Sequence, residues 1–229
     1  MGIISVLFSI LLYKSGQLSA DLKFHRCKCL RLLIYSAICM PLFVGFQANA
    51  RLVIKETTKT YSVSGKTGKQ VHAKLGRSGP WKMRRKHAIA ATQRVLDFNN
   101  IKFASRGNKC VIVKMDIHLH LTYYYPRWTN KKFASKKSQK LWNRFLVELV
   151  RHEKVHGKLF KASARQIDKE LKKISKKTYR NCRTMSSAVK SSLTKTLKKG
   201  QAKHSAFDRR EKKPTAKVRR LEIAFYKAS

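Results

Sequence analysis

Apolar and polar residues alternate most cleanly from Cys110 to Tyr125. Val111, Val113, Met115, Ile117, Leu119 and Leu121 fall on one face, and Ile112, Lys114, Asp116, His118 and His120 on the other. A period of two predicts a strand, and Pro126 ends it. Arg51 to Ser64 is rich in Val, Ile, Thr and Tyr and stops at Gly65, a second strand signature. Between these lie a short helix opening at Thr67-Gly68 with Val71 and Leu75 four apart, a basic loop at Lys82 to Lys86, and an ambiguous stretch, Ala88 to Ala104. Within that stretch Ile101 to Phe103 looks like strand, and the turn signal Gly107-Asn108 would pair it antiparallel with the strand that follows.

After Pro126 the period changes. Leu141, Phe145, Leu149, His152, His156, Phe160, Ser163, Ile167 and Leu171 recur in steps of three, four and seven, which predicts a helix from about Ser138 to Lys176 with Ser135 as N-cap and a bend at Gly157. A second helix is expected over about Thr184 to Arg210, with Met185, Val189, Leu193 and Leu197 on one face, Gly200 weakening it and Pro214 stopping it. Residues 214–229 read as a loose basic tail, or as a strand at Leu221 to Tyr226. The expected fold is α+β: a small antiparallel sheet against a long helix and a second, C-terminal helix.

Residues 23–50 have the layout of a secretory signal. Lys23, Arg26, Lys28 and Arg31 precede an apolar run, Leu32 to Phe46, and Ala48-Asn49-Ala50 is a small-x-small cleavage site. The run is shorter than the roughly 20 residues a bilayer requires, and Pro41 interrupts it. Residues 1–50 are therefore expected to target the chain, leaving a metallohydrolase domain over 51–213 and the tail. A second apolar run, Ile3 to Tyr13, leaves open where the true N-terminus lies. Secreted or periplasmic residence follows, with Cys110 and Cys182 either joined in one disulfide or buried as free thiols.

Charge narrows the partners. The chain has 229 residues, 53 Lys plus Arg and 11 Asp plus Glu, a formal +42. Such a field attracts anionic surfaces or nucleic acid without specifying either, and the basic residues are dispersed with no nucleic-acid-binding motif among them.

His152-Glu153-Lys154-Val155-His156 carries the chemistry. Residues i and i+4 share a helical face, so both imidazoles can reach one metal ion, and the Glu beside them is placed to take a proton from water. Chance produces such a motif in about 0.7% of chains of this composition. Zinc is the expected metal, with His152 and His156 as ligands and Glu153 as catalytic base. The usual third ligands are missing, since Ala162 and Lys176 occupy those positions. His204 and Asp208 continue the face of the second helix; Asp208 is the preferred third ligand, with His204 and then Glu211 as alternatives. Glu148 could orient His152 from one turn away. His118 and His120 are expected at a solvated position, and Tyr123, Tyr124, Tyr125 and Trp128 as packing or a substrate groove. A peptide or protein substrate and a monomeric state complete the reading.

Several segments together resemble a bacterial family of predicted secreted zinc-dependent proteases, recorded as a domain of unknown function. They are Tyr61 to Thr67, Leu75 with Gly79-Pro80, the strand from Cys110 to Pro126-Arg127-Trp128, Arg151 to Gly157, Cys182, and Phe207-Asp208. The resemblance covers about residues 55–212. It implies an exported hydrolase in which Cys110 pairs with Cys182, His152 and His156 bind zinc, and Glu153 is the base. Where the family continues with a Thr and a His-Gly pair, this chain has Glu211 and Lys213-Pro214.

Overall fold

A computed structural model describes residues 50–83 and 86–228. The targeting segment, with Cys27, Cys29 and Cys39, lies outside the described residues.

The elements in chain order are β1 (Ala50–Val63), α1 (Gly68–Ser78), β2 (Lys82–Met83), β3 (Lys86–His87), β4 (Ala91–Arg106), β5 (Lys109–Trp128), α2 (Lys136–Ser175), α3 (Cys182–Glu211) and α4 (Lys217–Tyr226). The α+β class is as the sequence indicates. A three-stranded sheet has the order β1-β5-β4, and β2 with β3 forms a small separate ribbon. β4 and β5 are antiparallel across the Gly107 turn, whose φ of 57° suits glycine. β1 runs parallel to β5, so the sheet is mixed rather than wholly antiparallel. Strand composition carries no direction; the crossover through α1 to β4 sets it.

One of the two register shifts in the β4–β5 pair explains a face that alternation misassigns. Lys102 pairs with Lys114 but Phe103 pairs with Ile112, which leaves Val113 as the extra residue of a bulge. Below it Cys110 and Ile112 point inward; above it Met115, Ile117, Leu119, Leu121, Tyr123 and Tyr125 do, while Val113 is exposed. The expected grouping of Val111 and Val113 with Met115 is therefore corrected. His118 is exposed, and His120 bonds Thr57 on the outer face of the sheet, away from the helices.

Three caps start the long helices and α1 as their sequences require. Thr67, Ser135 and Asn181 each accept a bond from the backbone N–H three residues on. The buried stripe of α2 runs Trp142, Phe145, Leu149, Phe160, Ala164, Ile167, Leu171 and Ile174. α2 is continuous through Gly157. This residue is glycine because the Tyr123 hydroxyl lies where its Cβ would be.

Residues 217–226, expected as tail or strand, form a docked helix. Val218, Leu221 and Phe225 are spaced for one face and enter the main core, where Phe225 packs against Trp128, Trp142 and Phe145. Basic residues between them had masked this face. At the other end of the molecule a disulfide joins Cys110 to Cys182 and ties the start of β5 to the start of α3. A bridge of this span stabilises by roughly 4 kcal/mol in the chain-entropy model. Among the described residues no helix is long and apolar enough to cross a membrane.

Candidate metal centre

Between Leu149 and Phe160 the apolar stripe of α2 is interrupted by His152, Glu153 and His156, all buried. Helical spacing puts the two imidazoles on the side facing α3. α3 can come close because Gly200 has no side chain: a Cβ there would stand 2.5 Å from Ser163 Oγ of α2. Gly200, read from sequence as a weak point, is thus a crossing point. Beyond it α3 brings His204, Phe207 and Asp208 onto α2, and the Phe207 ring covers both imidazoles at 4.8 and 5.2 Å between centroids.

Three donor atoms converge. His152 Nε2 and His156 Nε2 are 3.1 Å apart. Asp208 Oδ1 is 2.9 Å from His156 Nε2 and 3.5 Å from His152 Nε2. Donors about 2.0–2.1 Å from a tetrahedral ion stand about 3.3–3.4 Å from one another, so this triangle has the size of one tetrahedral face. Asp208 Oδ1 is buried without a well-formed hydrogen bond, the signature of an atom whose partner is an ion. His152, His156 and Asp208 are therefore a group able to hold a metal ion.

His204 and Glu211 take other places. His204 Nδ1 lies 2.8 Å from His156 Nδ1, on the side of that ring away from the triangle. Glu211 Oε2 is 3.5 Å from His152 Nδ1 and forms an ion pair with Arg151. His204 thus stands behind His156 and helps fix that ring, whereas the Glu211 carboxylate is close to His152 Nδ1 without a well-formed hydrogen bond to it. Glu148, expected behind His152, instead pairs with Arg151 at 2.6 Å and with Lys217 of α4 at 2.6 Å, linking α4 to α2.

Glu153 faces the sheet. Its Oε2 accepts from Thr92 Oγ1 at 2.6 Å, and the same hydroxyl lies 3.1 Å from the Glu153 carbonyl oxygen. Thr92 was not visible as a site residue: it sits in the stretch that sequence leaves ambiguous, and only the register of β4 aims it at α2. Tyr125, on the same sheet face, buries an unpartnered hydroxyl, and burial together with the charge of Glu153 raises its pKa. Tyr124 and Trp128 serve packing, Tyr124 against Trp81 and Trp128 against Trp142.

Burial works against a protonated His152, but the carboxylates of Asp208, Glu211 and Glu153 outweigh it and raise its pKa to about 9. Burial pushes the Asp208 carboxyl up, and the two imidazoles overcome this and hold it well below the ordinary carboxylate range. His204 is driven the other way, to about 3, by burial and then by the neighbouring His156. It stays neutral.

Fold and site together define an α+β protein with a buried group of two histidines on the H-E-x-x-H helix α2 and one aspartate on α3. Residues 58–214 match the family described as bacterial protein of unknown function (DUF922), and the chain belongs to that family. No curated protein and no solved structure matches it.

Proposed function

We propose that the protein is a zinc-dependent hydrolase acting on amide bonds, an exported peptidase. The observation that carries this reading is the donor triangle, closed by Asp208 on α3 and flanked by Glu153. Two imidazoles and a carboxylate suit zinc, and three protein ligands leave a fourth position for substrate and water. When bound, zinc supplies a Lewis acid that polarises a carbonyl and acidifies water. Glu153 supplies the base: Thr92 holds Oε2, which orients the carboxylate and leaves its other oxygen to take a proton and return it to the leaving amine. The Tyr125 hydroxyl, buried beside Glu153 with no partner, is available to donate to a developing oxyanion. The departure at Lys213-Pro214 does not remove the third donor, because Asp208 precedes it. Export is supported by the Cys110–Cys182 disulfide, a bond favoured in oxidising compartments.

Glu153→Gln is the test. Wild type should bind zinc and cleave members of a peptide library; the variant should keep the metal and lose cleavage. Equal cleavage by the two removes Glu153 from the mechanism.

A second reading, a non-enzymatic cationic protein, is favoured by the turn between α2 and α3. Lys176, Lys177, Arg180 and, at the start of α3, Arg183 are all exposed there with no acidic residue among them, while Lys172 and Lys173 just before the turn are paired with Asp168 and Glu170. It predicts polyanion binding that falls steeply with salt and ignores chelator.

A further inference from the structure

β4 carries Arg94 two residues after Thr92, on the same strand face and so toward α2. Arg94 is only 7% exposed. Its guanidinium makes no ion pair among the described residues, and Nε is buried without a hydrogen-bond partner. What it does meet is the ring of Phe160, 5.1 Å below. A buried cation without an anion is among the most costly arrangements a fold can keep. The carboxylates that face the same layer are committed elsewhere: Glu56, which flanks Leu121 opposite Arg94, to Lys161 and Tyr123, Glu153 to Thr92, and Asp208 to the two imidazoles.

His204 adds a second unused polar atom. Its ring is tilted on Phe160, the ring that Arg94 also meets, at 4.1 Å between centroids. Against His156 the two rings are within 10° of parallel, with centroids 5.1 Å and Nδ1 atoms 2.8 Å apart. A ring nitrogen sits about 1.1 Å from its centroid, so the two rings lie edge to edge in one plane, joined by a straight N–H···N bond. His204 Nδ1 is thereby satisfied by His156, while His204 Nε2 is buried and unpartnered.

We propose that Arg94, with the unused Nε2 edge of His204 across the same Phe160 ring, forms an anion subsite beside the metal centre, which receives a carboxylate of the substrate, either a peptide C-terminus or an acidic side chain. The carboxylate supplies the anion that the fold withholds from Arg94. Its origin in a peptide rests on the metallopeptidase reading; the subsite itself does not.

Titration calorimetry of the full chain tests this with three probes: N-acetyl-alanyl-alanine, its C-terminal amide, and N-acetyl-alanyl-glutamate amide. Each is titrated into zinc-loaded and chelator-treated protein. At least one carboxylate probe should bind about 10–100-fold more tightly than the neutral amide, the value of a charge-assisted bond to a desolvated arginine. The tighter of the two identifies the source. That preference should survive chelation and vanish in Arg94→Gln and in Arg94→Met, the second of which keeps the packing of the stem. Equal binding of carboxylate and amide by wild type overturns the subsite, as does an unchanged preference in a folded Arg94 variant. Loss of the preference on chelation also overturns it, since the carboxylate then sits on the metal. Should wild type fail to bind zinc while the preference persists and depends on Arg94, the subsite stands and the metallopeptidase reading falls.

Discussion

Replacing Gly157 by Ala separates local helix propensity from the packing that holds the metal helix on the sheet. In an exposed helix the change would stabilise by about 1 kcal/mol. Here the new Cβ would stand 2.0 Å from the Tyr123 hydroxyl and 2.9 and 3.1 Å from two of its ring carbons. Tyr123 cannot swing aside. It is 1% exposed, its hydroxyl donates to Glu56 at 2.8 Å, Glu56 is held by Lys161 at 2.7 Å, and Lys154 covers the ring at 4.1 Å. Overpacking of this kind costs about 1–3 kcal/mol. Breaking the bond to the Glu56 carboxylate costs about 1.5–3 kcal/mol more if the ring is displaced. Set against the propensity gain, the expected result is a loss of about 2 kcal/mol, or about 6 °C in Tm for a chain of this size. Urea unfolding in the presence of chelator measures it without a contribution from metal binding. A variant as stable as wild type, or more so, would refute the close approach of Tyr123 to α2 and with it the placement of Glu153 against the sheet.

Three further outcomes follow from the packing and the charge of the site. Phe225→Ala should cost about 3–5 kcal/mol by chemical denaturation, because the ring is fully buried among Trp128, Trp142 and Phe145; a change near zero would return residues 217–226 to the status of a tail. Zinc affinity should rise by about tenfold per pH unit between pH 6.5 and 8.5, because zinc must displace one proton from His152, whose pKa is about 9, and none from Asp208, which is already ionised. Calorimetry in buffers of different ionisation enthalpy should find proton release on zinc binding, and a flat profile would contradict the carboxylate cluster around His152. In the metal-free protein the sign is opposite: the contribution of His152 to stability is complete below pH 6.5 and is lost as pH rises through about 9.

The metal helix was legible because one period persists through α2, and the i, i+4 histidines ride on that period. Asp208 was reachable by extending the face of α3 past Gly200 and was preferred as third ligand, but nothing in sequence fixed that preference over His204, which lies one turn earlier. The choice depends on how far α3 has rotated when it reaches His156, and that is set by the Ser163–Gly200 crossing. Direction and register were hidden for a related reason. Nothing in Arg51 to Ser64 says that β1 runs parallel to β5, and the bulge at Val113 exists only in the pairing with β4. Thr92 and Arg94 belong to a strand whose own pattern is weak, so their roles appear only once β4 lies beside β5. α4 had its signal in Val218, Leu221 and Phe225, diluted by Lys217, Arg219, Arg220 and Lys227.

Metal content tests the account most directly. Elemental analysis of the purified wild type should find about one zinc per chain, and His156→Ala, which removes the donor shared by the two shortest edges of the triangle, should abolish it. Wild type without zinc, or zinc retained in full by the variant, would contradict the assignment of His152, His156 and Asp208 as a metal centre.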